Sequence, residues 1–327
     1  MNASTPIPLK ATVARPARLN LARLLRGALP GVSLAVLLVV IFVMQPRAMS
    51  YMGMNLMFNL AVPIALATIA QMLIITVNDL DLSLGSFISF VACVCATVLN
   101  QHPLLGCLAL VGCVAAYALL GALIHLRKLP SIVVTLGMSF IWMGGAILLL
   151  PAPGGTAPQW LQAIVRYKTP LLPFAIFVCI ALALVVHLFL MRSTLGVVLR
   201  GAGGNPIAVA KAGWSLLRIK VSLYALAGTF GVLAGLFLVG LTTSADASIA
   251  LRYTLLSIAG VILGGGEFVG GRVSPIGAVL GALTLVLAGS LLSFLHISPD
   301  WQIGAQGAIL ILVLALRAFV NRLEAQP

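Results

Sequence analysis

The stretch "PLLPFAIFVCIALALVVHLFLM", residues 170–191, contains no Asp, Glu, Lys or Arg and only one histidine. An amphipathic surface helix would alternate this apolar character with a polar face, and none is present. A helix needs roughly 20 predominantly apolar residues to cross the hydrocarbon core, because lipid offers the backbone no hydrogen-bond partner and the helix must satisfy itself. Residues 170–191 meet that length, and similar runs recur on both sides. Across 327 residues, 61% are hydrophobic and 8% charged, with a mean hydropathy of +1.17. A soluble globular chain carries about 25% charged residues. The composition therefore excludes a soluble domain and points to an all-α polytopic membrane protein.

Apolar runs, separated by turn residues and charges, place about ten spans near 29–45, 56–77, 82–100, 104–126, 131–150, 170–191, 216–241, 253–265, 274–295 and 302–320. The eighth is short, and only "VNDLD" separates the second from the third. Eight or nine spans with a re-entrant segment is the alternative. Residues 1–28 form a basic tail, 29–320 the transmembrane domain and 321–327 a second tail. The first tail contains Lys10, Arg15, Arg18, Arg23 and Arg26 and no acid, a composition that transit peptides share with retained cytoplasmic tails. We expect a retained tail.

With both termini inside, the basic residues sort unevenly. The five of the tail, Arg127, Lys128, Arg192, Arg200, Lys211, Arg218, Lys220, Arg272, Arg317 and Arg322 fall inside, and Arg47, Arg166, Lys168 and Arg252 outside, fifteen against four. That bias follows the positive-inside rule and makes the segment at about 192–215 cytoplasmic. It also explains the net charge of +13 without nucleic acid, since the charges lie in short connections rather than on one face.

Catalytic constellations are not evident. Cys93, Cys95, Cys107, Cys113 and Cys179 lie within apolar runs and read as small hydrophobes, so neither a disulfide nor a metal is expected. His102, His125, His187 and His296 are scattered. The G-x-x-x-x-G-K-[ST] phosphate loop is missing, so "GGGEFVGGR" reads as a tight turn, with Glu267 and Arg272 solvated or meeting a partner. "GVLAG" at Gly231–Gly235 and "GAVLG" at Gly277–Gly281 carry the spacing of closely packed helices.

Between the sixth and seventh spans lies "RGAGGNPIAVAKAGW", residues 200–214, in a connection longer than helix packing needs. Asn205 is a good N-cap, Pro206 suits the first helical position and Gly213 can take the left-handed conformation that ends a helix. These residues predict a two-turn helix over "PIAVAKA", with "GAGG" letting the chain turn out of the sixth span and lay the helix along the membrane surface. Such a short helix is unstable alone in water. It packs on its own loop or on lipid headgroups, or it docks on a cytoplasmic partner.

"LGVVLRGAGGNPIAVAKAGWSLLRIKVSLYALAG" resembles the cytoplasmic loop of ribose-type sugar permeases from bacterial ABC importers. "IITVNDLDLSLGS", "LPSIVVTLGM" and "IAGVILGGGEFVGGRVSPIGAVLGAL" resemble further motifs of that family, in the same order, over about Ile74 to Leu283. The resemblance implies a type II ABC importer-like permease in the bacterial inner membrane, embedded in lipid and binding no cofactor of its own. It also implies two cytoplasmic ATPase subunits, a periplasmic sugar-binding protein and a second permease subunit, in a homodimer or heterodimer. Gly203, Gly204, Asn205, Pro206, Ala208, Ala210 and Gly213 fall where such importers carry the coupling helix. The turn holding Glu267, Gly270, Gly271 and Arg272 is a second candidate ATPase contact. The chain departs from the family at Val77, Asn78 and Asp79 and at Gly266, Glu267 and Phe268.

Asp79 and Asp81 are two of six acids in the chain. Asp81 with Ser83 fits an N-terminal signal for the third span. Alternatively Asp79, Asp81, Ser83 and Thr135 line a cavity or gate, because a carboxylate at membrane depth is costly and normally functional. Trp142, Phe87, Phe90, Asn59, Gln71 and Thr135 are possible sugar contacts. Asp246 and Asp300 lie in expected external loops. A permease for branched-chain amino acids or another small polar solute, and an ion-coupled secondary transporter using Asp79 or Asp81, are the alternatives to sugar import. A membrane-embedded enzyme is disfavoured because no His, Asp and Ser groups pair across helices.

Overall fold

A computed structural model describes residues 18–297, with 18–27 described by backbone alone, and isolated positions between 301 and 315. The described residues hold twelve α-helices and no strand. These are α1 (Arg18–Met44), α2 (Tyr51–Ile75), α3 (Leu84–Val94), α4 (Pro103–Arg127), α5 (Ser131–Leu149), α6 (Gln159–Val165), α7 (Phe174–His187), α8 (Thr194–Gly204), α9 (Pro206–Lys211), α10 (Leu216–Thr242), α11 (Tyr253–Leu263) and α12 (Pro275–Phe294). Single π-helical turns extend α3 through Leu99 and α7 through Arg192.

Helix α2 is apolar around its whole circumference, so it has no face to offer water and lies at the centre. Residues 61–76 are buried without interruption, enclosed by α7, α10, α11 and α12. The outer helices turn large apolar side chains outward: Leu148 is 86% exposed and Leu171 85%. Leu171 precedes α7, while Leu148 of α5 and Leu104 of α4, the latter 75% exposed, are on the helices themselves, and such a surface would be a liability in water and is stable against lipid.

Six helices are long and apolar enough to cross a membrane: α2, α4, α5, α7 with its π turn, α10 and α12. The ten-span expectation meets shorter pieces elsewhere. Residues 28–44 of α1 form a shorter apolar segment, α3 with its π turn spans only about 24 Å, and α11 about 16 Å, against a core of about 30 Å. The expected tenth span at 302–320 and the tail at 321–327 lie outside the described residues, apart from isolated positions, as do residues 1–17 and Asp300.

Both short helices start inside the bundle, after breaks built alike. Asp81 Oδ1 accepts from the backbone N–H and hydroxyl of Ser83 ahead of α3, and Asp246 Oδ1 accepts from the same two groups of Ser248 ahead of α11. Their first turns meet: Gly85 N donates to Thr254 Oγ1 at 2.9 Å, and Ala250 N to Ser89 Oγ at 3.0 Å. Beyond this junction α11 packs on α12 through glycines, where a Cβ on Gly277 would overlap Gly264 O and one on Gly281 would overlap Gly260 O. Gly231 and Gly235 likewise let α10 approach Phe87 and Val91 of α3.

Candidate functional site

Residues 76–83 join α2 to α3, and every backbone N–H along them donates a hydrogen bond. Asn78 has φ 62°, a left-handed conformation that asparagine tolerates better than most residues. Asp79 Oδ2 lies 2.8 Å from Lys220 Nζ and accepts from Tyr224 Oη at 3.0 Å; both partners lie one turn apart on α10. From there the chain passes α5, where Ser131 Oγ accepts from Leu80 N at 3.2 Å and Thr135 Oγ1 from Leu82 N at 3.1 Å. The Gln71 amide, oriented as its neighbours require, donates to Asp81 O at 3.1 Å and accepts from Asp81 N at 3.2 Å.

Asp81 is 0% exposed. Its Oδ1 accepts from Ser83 N at 2.7 Å and Ser83 Oγ at 2.6 Å, and its Oδ2 from Tyr117 Oη at 2.7 Å. Tyr117 sits about 15 Å of helix from the α4 terminus at Arg127, which puts the carboxylate near half-depth of the bundle. Three neutral donors satisfy the carboxyl group, and among the described residues no basic side chain pairs with it. Removing a donor would leave a buried acceptor short of a partner, the costly half of the hydrogen-bond balance. Tyr117 rests on Phe87 at 4.3 Å between ring centroids, and Trp142 contacts Phe87 at 5.0 Å and Phe90 at 5.3 Å. The indole Nε1 of Trp142 is buried without a partner.

The residues singled out in the sequence therefore separate into two groups. Asp81, Ser83, Thr135 and Gln71 meet at the break, beside Phe87, Phe90 and Trp142, whereas Asn59 lies farther up α2 against Asn55 at 3.1 Å. Ser83 and Thr135 are closed off from solvent like Asp81. Three participants escape the sequence reading. Tyr117 and Tyr224 are lone tyrosines in apolar runs, and Lys220 reads as a topology charge; their only signal is polarity inside a span, which does not say what they meet.

The second group stands at the end of the bundle where α2, α8 and the α11–α12 turn come together. Asn205 Oδ1 accepts from Ala208 N at 3.0 Å, Pro206 takes the first helical position, and Gly213 has φ 87°. Helix α9 buries none of its residues, and Ile207 is 68% exposed. "GAGG" is not the flexible turn expected of it: residues 201–204 complete α8. Small residues are needed there for contact, since a Cβ on Gly203 would overlap Thr76 O and one on Gly271 would overlap Arg200 O. The Gly-rich turn has left-handed Gly265, Gly270 and Gly271, with Glu267 N donating to Arg272 O at 2.9 Å and an exposed Glu267–Arg272 ion pair at 3.4 Å. Arg200, Gly204, Asn205, Ala208, Gly270 and Arg272 border a cleft of about 640 Å³ beside α9.

A bundle of apolar helices, broken inside and gathering its polar side chains at the break, is the architecture of a membrane transport protein. Residues 53–314 match the family described as branched-chain amino acid transport system / permease component, and the chain belongs to that family. It is similar to the ribose import permease of Escherichia coli K12, 26% identical over 293 residues, covering 86% of this chain and 91% of that one. A galactose/methyl galactoside import permease of Haemophilus influenzae is 25% identical over 307 residues, covering 86% and 91%. A fructose import permease of Rhizobium meliloti is 24% identical over 286 residues, covering 83% and 79%. No solved structure matches the chain.

Proposed function

We propose that this protein is the transmembrane subunit of an ABC importer that moves a monosaccharide across the bacterial inner membrane. The observation that carries the reading is that relatives aligned over 83–86% of this chain are import permeases for ribose, galactose and fructose. In this reading α9 is the coupling helix, and Gly203 to Gly213 with the Gly-rich turn form the surface that meets the ATPase. The exposed, capped α9 supports that role, because it packs on the bundle through half-buried Val209 and leaves Ile207 free for a partner. The α9 end is cytoplasmic, both termini share that side, and the shorter helices complete about ten crossings in a type II arrangement. ATP is hydrolysed by the partner chain. Two permease subunits enclose the path, a periplasmic binding protein delivers the sugar, and the break holding Asp81 moves between inward-open and outward-open states.

The test is uptake of radiolabelled ribose, galactose or fructose into liposomes holding the permease, its ATPase and its binding protein. Uptake that requires ATP and the ATPase supports the proposal, while uptake driven by an ion gradient without the ATPase would sink it. The family description favours a second reading, a branched-chain amino acid as cargo. Thermal-shift screening of the partner binding protein decides between them: stabilisation by leucine, isoleucine or valine and not by pentoses or hexoses would replace the sugar.

A further inference from the structure

Two chain segments far from it in sequence converge on Asn78. Its Nδ2 donates to Gly203 O at 2.8 Å, at the end of α8 immediately before α9. Its Oδ1 accepts from Gly270 N at 3.0 Å, in the turn that joins α11 to α12. An amide can hold both because it is donor and acceptor at once. The surrounding backbones are in contact, as the overlaps at Gly203 and Gly271 require, so a shift of either segment reaches Asn78 without slack. One residue on, Asp79 is tied to Lys220 and Tyr224 of α10, and Asp81 is tied to Tyr117 of α4 at half-depth.

We propose that Asn78 is the positioning residue that transmits movement of α9 and the Gly-rich turn to the non-helical segment 79–83. The inference rests on the reading of α9 as the ATPase-docking helix. Packed segments carry coupling when a contiguous chain of bonds joins two movable parts, and the Asn78 amide is such a join between the exposed end and the buried carboxylate. Asparagine also holds the left-handed backbone at this position, so the side chain and the turn are separable by substitution: glycine keeps the turn and deletes both side-chain bonds.

The test uses the full complex of permease, ATPase and binding protein in liposomes, with ATP hydrolysis and uptake of radiolabelled ribose, galactose or fructose read in one preparation. Asn78→Gly removes both hydrogen bonds. Asn78→Asp keeps the acceptor for Gly270 N–H and sets a carboxylate oxygen against Gly203 O. Both variants are expected to co-purify with the ATPase and to hydrolyse ATP, while sugar moved per ATP falls about tenfold, within the range of coupling between linked sites. An unchanged ratio in an assembled variant overturns the inference, including the case in which hydrolysis and uptake fall together. If Asn78→Gly fails to assemble, the nearly isosteric Asn78→Asp decides by the same ratio. A wild-type complex whose uptake runs on an ion gradient without the ATPase sinks the importer reading itself, and this inference with it, before any variant is compared.

Discussion

Asp81 is held by three neutral donors in a place where water cannot replace a lost one. Tyr117→Phe removes the bond to Oδ2 and keeps the ring on Phe87, so it should destabilise the protein by about 1–3 kcal/mol, read by thermal or chemical unfolding in detergent. A change under a few tenths would show that the carboxylate finds another donor. Asp79 makes a different prediction. Lys220→Met leaves its carboxylate without a counter-ion, whereas Asp79→Leu combined with Lys220→Met removes both charges, so the single variant should be less stable than the double one. The reverse order in the same unfolding assay would refute a stabilising pair. The acids announce themselves in "VNDLDLSLGS" because carboxylates are scarce in this chain. Their partners do not, since Lys220, Tyr224 and Tyr117 lie far along the chain and only packing selects them.

At the scale of elements, short helices test the capping argument most directly. Asn205→Ala deletes the acceptor for Ala208 N and should destabilise α9 by about 1 kcal/mol. Because α9 has no fully buried residue, global unfolding should hardly move, while amide exchange at Ala208 should speed up and ATP-driven uptake should fall. Unchanged exchange at Ala208 would show that the cap does not hold the helix. Glycine contacts predict the opposite balance between α11 and α12. Gly277→Leu forces the two backbones apart and should abolish monodisperse protein on size exclusion, whereas Gly112→Ala, with open space around it, should be neutral. The α9 helix was legible because its signals are local: a cap, a proline and a terminal glycine within nine residues. "GAGG" misled for a related reason. Local freedom reads the same whether glycine serves a turn or a close contact, and here the contact with Thr76 O decides for helix.

Over the whole molecule, the positive-inside bias predicts sidedness. In a background with Cys107 replaced by serine, Ile207→Cys should react with a membrane-impermeant maleimide in inverted vesicles, and Lys168→Cys in right-side-out vesicles. Labelling of both from the same face would overturn the topology. The sequence by itself determined a lipid-embedded helical bundle and the capped α9, because those follow from composition and from signals a few residues apart. Six of the described helices are long and apolar enough to cross a membrane, and an apolar run in the sequence does not reveal that the helices α3 and α11 are shorter than that. Only the tertiary structure decided that their first turns bond to each other, that Asp79 meets α10 and Asp81 meets α4, and that Asn78 bridges Gly203 and Gly270. Each of these is a partner choice across tens to hundreds of residues. Inside a membrane every polar group must find such a partner, but which one it finds depends on how the helices pack.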